Sequence, residues 1–145
     1  MLYFAYTTLI DPRHMEKAAP NASFEFVAHL PETKLIFPVK DGQWKGGLPS
    51  VLPESGNTVW GAIFDVPTKE LKALDEVEAA EGRVRVKRSA MDRAGKRHDV
   101  VTHAFEPNGN KKYKPSSQYM SVVVKGGRHW SLPAGWIAGL EEYVV

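Results

Sequence analysis

The sequence predicts an α+β fold: a mostly antiparallel β-barrel of about six strands with a few helices packed outside it. Three observations carry this expectation. Runs such as Phe24, Phe26 and Ala28 against Ser23, Glu25 and Val27, or Val84 and Val86 against basic neighbours, repeat every two residues, the period of a half-buried strand. Glycine and proline punctuate the intervals between those runs. Helical periodicity is confined to a few short segments. With 145 residues, 43% hydrophobic and 25% charged, the chain has the size and mix of a single domain, residues 1–145, with a real core.

In chain order, Leu2 to Tyr6 reads as a short buried strand. After a turn, Asp11-Pro12 supplies an N-cap and a first-position proline for a short helix through about Ala18. Ala22 to Leu30 and, after Pro31, Lys34 to Phe37 read as two strands of a hairpin or meander. Between Pro38 and Asn57 the chain carries Gly42, Gly46, Gly47, Pro49, Pro53 and Gly56, so mainly loop is expected, with a short strand near Leu48 to Leu52. Asn57 to Val66 is a stronger strand. Pro67-Thr68 opens a helix for which Gly82 offers a left-handed end. Arg83 to Met91, a turn at Asp92 to Gly95 and Arg97 to Phe105 form a β-hairpin whose basic side is expected to face out. Glu106 to Ser116, including Asn108, reads as a mobile loop. Ser116 or Ser117 caps a helix to about Val124 that Gly126-Gly127 ends, and Ser131-Leu-Pro133 starts a last helix to roughly Glu142.

Composition removes several function classes. There is no cysteine, which excludes disulfides, thiolate nucleophiles and cysteine-ligated zinc. His14, His29, His98, His103 and His129 form no H-x-x-x-H or H-E-x-x-H pair, and no G-x-S-x-G elbow is present, so neither a metal nor a serine nucleophile is assigned. No run approaches the roughly 18 apolar residues of a membrane span, and the opening residues lack a basic leader, so a soluble, cytoplasmic protein without a membrane partner is expected. A formal charge of +2 is too small for general nucleic-acid binding. Arg83, Arg85, Lys87, Arg88, Arg93, Lys96 and Arg97 concentrate the basic character on the hairpin, which reads as a solvated face. Trp44, Trp60, Trp130 and Trp136 read as core or pocket wall. Nothing in the sequence sets the oligomeric state.

The residue that stands out is Glu78. At about 100° per residue, Leu71, Leu74 and Glu78 fall on one side of the helix that starts at Thr68, with Val77 beside them. A carboxylate on a buried stripe must be paired, hydrogen-bonded or raised in pKa, and the last of these suits a general acid/base. The alternative is a solvated glutamate near a frayed helix end. Glu81 also projects towards the stripe.

Four segments in order resemble the γ-glutamylcyclotransferase-like family, which includes γ-glutamylamine cyclotransferases and AIG2-like proteins. They are Tyr3-Phe-Ala-Tyr6; Trp44-Lys-Gly-Gly47 with Val59-Trp-Gly61; Leu74-Asp-Glu-Val-Glu78; and Pro115-Ser-Ser-Gln-Tyr119 with Gly126-Gly127 and Leu132-Pro133. The resemblance implies a barrel, and a small-molecule γ-glutamyl substrate that closes on itself to 5-oxoproline and releases an amine without metal or cofactor. It implies Glu78 as general acid/base. It also implies that the turn Tyr6-Thr7-Thr8-Leu9 holds the glutamyl group through backbone N–H groups, and that Tyr119 lines the pocket. The family writes that turn Tyr-Gly-Ser-Asn-Leu or Tyr-Gly-Thr-Leu, whereas here Thr7 replaces the glycine and resists φ > 0. A member that binds a small molecule or protein partner without catalysis is the alternative implied by that departure.

Overall fold

Alternation and punctuation produce one long hairpin rather than two short ones. In the computed structural model, which describes residues 1–107 and 109–144, β1 spans Leu2–Ala5, β2 Ser23–Asp41 and β3 Gly46–Asp65. β2 and β3 run antiparallel from Ser23↔Asp65 to Asp41↔Gly46. The register shifts between Phe24 and Phe26, Pro31 and Thr33, and Ile36 and Val39. The expected breaks at Pro31 and over Pro38 to Asn57 are therefore corrected to irregularities inside two continuous strands. Proline lacks the ladder donor, and Pro31, Pro38, Pro49 and Pro53 all fall beside these shifts, where pairing is already interrupted. Merging the segments lowers the strand number from about six to five.

β4 (Val84–Asp92) and β5 (Arg97–Ala104) form the expected hairpin, tied at its turn by Asp92 Oδ1, which accepts from the Ala94 and Lys96 amides at 2.9 Å each. The five strands close into a barrel in the order β1-β3-β2-β4-β5. Closure is between β1 and β5, the one parallel pairing among the described residues, in register at Tyr3↔Val101. Thr102 reinforces that seam by donating to the Phe4 carbonyl at 2.6 Å. The two-residue period then divides the core. Phe4, Ile63 and Val100 belong to a cluster inside the barrel, while Tyr3, Ala62, Phe64 and Val101 join helix residues in a second cluster outside it.

The helices are α1 (Pro12–Ala18), α2 (Thr68–Ala79), α3 (Ser117–His129) and α4 (Ala134–Glu141). Asp11 caps α1 through the Arg13 amide at 2.8 Å, Ser116 caps α3, and Gly82 at φ +104° ends the α2 region. Among the described residues, no helix is long and apolar enough to cross a membrane. α3 does not stop at Gly126-Gly127. There α3 crosses the chain at Ile10 and Asp11, and a Cβ on Gly126 would stand 2.7 Å from the Asp11 nitrogen and the Ile10 carbonyl carbon. Gly126 serves close packing rather than helix termination. The second half of the loop expected to be mobile is strapped down, with Tyr113 donating to the Phe37 carbonyl at 2.9 Å and Gly47 donating to the Lys114 carbonyl at 2.8 Å. Asn108 lies outside the described residues.

Gly126→Ala sets two effects against each other. Alanine gains about 1 kcal/mol of helix propensity but meets rigid backbone at 2.7 Å, and overpacking costs about 1–3 kcal/mol. The steric term wins, so urea denaturation should show a net loss of stability; a stabilised variant would disprove the crossing.

Candidate active site

Helix geometry delivers Glu78 inward. Leu71 and Leu74 are buried, and Glu78, one turn further on, is only 1% exposed. Val77, which the sequence placed beside that stripe, is 41% exposed and lies outside it. Glu70 is buried as well, a position the stripe did not mark, and accepts from the Asn21 amide and side chain at 2.9 and 3.0 Å.

Two groups hold the Glu78 carboxylate. Thr7 Oγ1 donates to Oε1 at 3.4 Å, and Arg83 Nη1 donates to Oε2 at 3.2 Å. The basic hairpin face is therefore corrected at its first member: Arg83 is 1% exposed and turned in, whereas Val84 is 44% exposed. The residue follows Gly82, whose positive φ redirects the chain before β4 begins, and a buried carboxylate awaits the guanidinium. Arg83 Nε donates to the Pro49 carbonyl at 2.9 Å, Nη1 also donates to Glu81, Nη2 donates to the Tyr119 hydroxyl at 3.4 Å, and the Phe105 ring lies 4.9 Å from its Cζ. Alternation alone assigns Arg83 to solvent; its five-residue spacing from Glu78 was the signal that could have found it.

Thr7 has φ −92° and ψ −160°, an extended conformation without strain, so the turn has no need of glycine. Its side chain accepts from the Leu9 amide at 3.3 Å, while the Ile10 and Asp11 amides donate to the Thr7 and Thr8 carbonyls at 3.0 Å each. Among the described residues, the Thr7 and Thr8 amides donate to no other group. Leu9 points into the core, and the Tyr6 hydroxyl donates to the His103 carbonyl at 2.6 Å. Tyr119 is fully buried, with Trp44 edge-on to it at 5.0 Å; Trp44 Nε1 donates to Glu81 at 3.1 Å. Tyr6, Thr7, Glu78 and Tyr119 are thus brought around Arg83; the cavity of about 190 Å³ bordered by Phe105 is lined by Lys34, Ile36, Leu52 and Glu54 and by none of these site residues.

Burial pushes the Glu78 carboxyl up to about 7, against the pull of the Arg83 guanidinium and the Thr7 hydrogen bond and with a further push from Glu81. Burial likewise raises Tyr119 and Tyr6. A second chain of groups pins α2 from outside. His103 Nε2 donates to Asp75 Oδ1 at 2.7 Å, which leaves Nδ1 to accept from Tyr3 at 2.7 Å, and Arg85 forks the same Asp75 carboxylate. Asp75 sits three residues before Glu78, so β1, β4 and β5 all bear on the position of that carboxylate.

Removing one partner strands a buried charge. Arg83→Met should cost about 3–5 kcal/mol and the pair Glu78→Gln with Arg83→Met far less than the sum of the singles. A double-mutant cycle by urea denaturation checks this; additive losses would mean that the two groups do not interact.

Residues 58–140 match the AIG2-like family. The γ-glutamylcyclotransferases of Bos taurus and Homo sapiens are each 26% identical over 136 residues, covering 91% of this chain and 72% of theirs. The Mus musculus γ-glutamylcyclotransferase is 28% identical over 138 residues, with the same coverage. Among solved structures, a γ-glutamyl cyclotransferase superposes with a TM-score of 0.89 at 24% identity, covering 97% of this chain and 86% of that one. YkqA of Bacillus subtilis superposes at 0.81 with 18% identity, covering 99% of this chain and 54% of its own. These two superpositions speak to fold.

Proposed function

This chain belongs to the AIG2-like, γ-glutamylcyclotransferase-like family, and from that premise we propose that it is a metal-free intramolecular cyclotransferase acting on a γ-glutamyl amine or peptide. The observation that carries the reading is the Glu78 carboxyl, buried and 3.4 Å from the hydroxyl of the turn that follows β1.

In a γ-glutamyl compound the α-nitrogen can close a five-membered ring on the side-chain carbonyl, so no external nucleophile, water or metal is needed. Glu78 as carboxylate takes a proton from the α-ammonium. The freed amine attacks the γ-carbonyl carbon, forming the new C–N bond and a tetrahedral oxyanion. The Thr7 and Thr8 amides are the donors available to that oxyanion or to the substrate carboxylate. Glu78 then gives its proton to the departing nitrogen, the old C–N bond breaks, and 5-oxoproline and an amine are released. The two protons lost by the ammonium equal the two gained by the leaving amine, so one carboxyl group suffices as carrier. A pKa near neutrality lets it act in both directions.

A second reading, a ligand binder without catalysis, is favoured by one observation: Glu78 and Arg83 are each only 1% exposed, so no substrate touches them until their pair opens.

Incubation with a panel of γ-glutamyl peptides and amines, with 5-oxoproline as readout, separates the two. Glu78→Gln should lower the yield rate by about 10²–10⁴-fold. Absence of product from every compound favours the binder, and equal rates in the variant remove Glu78 from the chemistry. In the active protein, kcat/KM should rise with pH through about 7, because the base must be ionised in the free protein and burial holds its proton to that range. A rise complete by pH 5 would show that Glu78 is not the titrating group.

A further inference from the structure

Arg83 takes no part in the proton transfers, yet it occupies the centre of the site. We infer that Arg83 is the anchor for the α-carboxylate of a zwitterionic amino-acid head, and that this head enters by replacing the Glu78–Arg83 ion pair. The inference rests on the cyclotransferase reading for its chemistry but concerns recognition.

Charge conservation is the first argument. The pair holds one positive and one negative group out of water, and a ligand carrying only one charge would leave the other stranded. A zwitterion exchanges one internal pair for two intermolecular ones, its ammonium on Glu78 and its carboxylate on Arg83, with nothing left unpaired. Geometry is the second. Arg83 is fixed at Nε by the Pro49 carbonyl at 2.9 Å and at Nη1 by Glu81 at 2.5 Å, while its contacts to Glu78 at 3.2 Å and Tyr119 at 3.4 Å, like that of Thr7 to Glu78 at 3.4 Å, are longer than the roughly 2.7–2.9 Å of a tight charge-assisted bond. Pro49 and Glu81 thus hold the fork in place, and the N–H groups it turns to Glu78 and Tyr119 are the loosely engaged ones that a carboxylate can take over. Position is the third. Glu81, which shares Nη1, has a side chain 19% exposed and is bonded to the half-buried Trp44, so the cluster meets solvent on that side.

The test compares a γ-glutamyl amide with its decarboxylated counterpart, the 4-aminobutyryl amide, which can still cyclise. The protein should favour the first by about 10²-fold or more in kcat/KM, since a buried donor set rejects a ligand that leaves it unpaired. Arg83→Lys, which keeps the charge but loses the fork, should cut that preference at least about tenfold, through KM rather than kcat. An unchanged preference overturns the assignment. Should neither compound be cyclised, the cyclotransferase reading fails, and Kd ratios from titration calorimetry decide: a preference lost in Arg83→Lys keeps the anchor, and equal or absent binding overturns it. If Arg83→Lys does not fold, the Kd ratio for the two compounds is compared between Glu78→Gln and Glu78→Gln/Arg83→Gln. The double variant alone should lose the preference, and retention there overturns the assignment.

Discussion

One guanidinium and one carboxylate, facing each other out of contact with water, set the terms for everything around them. Arg83 and Glu78 lie 3.2 Å apart with side chains 0% and 1% exposed. Taking each ion out of water costs several kcal/mol, and apolar residues of similar volume would serve the fold as well or better. The pair is therefore better understood as a constraint on the site than as a source of stability. It fixes the end of α2 relative to the start of β4, holds the Pro49 carbonyl of β3, and reaches Tyr119 on α3. The turn after β1 closes the ring through Thr7.

Around this pair the molecule is built to limit movement. Gly46 and Gly47 leave room for the backbone of residues 113–116 to lie against β3, where a Cβ on either would stand 2.4 Å from the Ser116 nitrogen or 2.6 Å from the Tyr113 carbonyl oxygen. That strap ends in the Ser116 cap, whose Oγ accepts from the Tyr119 amide at 3.2 Å and so sets the first turn of α3. From the other side, the Tyr3–His103–Asp75 chain ties α2 to the barrel wall. The carboxylate is thus positioned from both flanks by groups remote from it in sequence.

Much of this was legible in the sequence. The caps at Asp11 and Ser116, the turn at Asp92 to Gly95, the bounds of α2 and the burial of Glu78 follow from local chemistry and helical period, and local chemistry is what a sequence states directly. The failures are instructive for the same reason. Pro31, Pro38, Pro49 and Pro53 read as breaks because a lone strand cannot tell whether its partner has a bulge opposite. Gly126-Gly127 read as a stop because the crossing chain at Ile10 and Asp11 is more than a hundred residues away. Arg83 read as solvated because alternation counts faces and is blind to a single side chain drawn in by a buried opposite charge. Thr7 read as an obstacle because the glycine it replaces suggested a left-handed turn, whereas the backbone here is extended and the added hydroxyl reaches Glu78.

The seam between β1 and β5 has a consequence for how the molecule comes into being. The first strand pairs along its length with Ala62 to Asp65 of β3, but its other edge waits for Val101, Thr102 and His103, and the turn it carries waits for Glu78. Such distant pairings are slow because the intervening chain must first be ordered. A chain halted before residue 101 would hold Thr7, Glu78 and Arg83 but would lack the seam that closes the barrel and the His103 that ties Asp75, three residues before Glu78, to Tyr3.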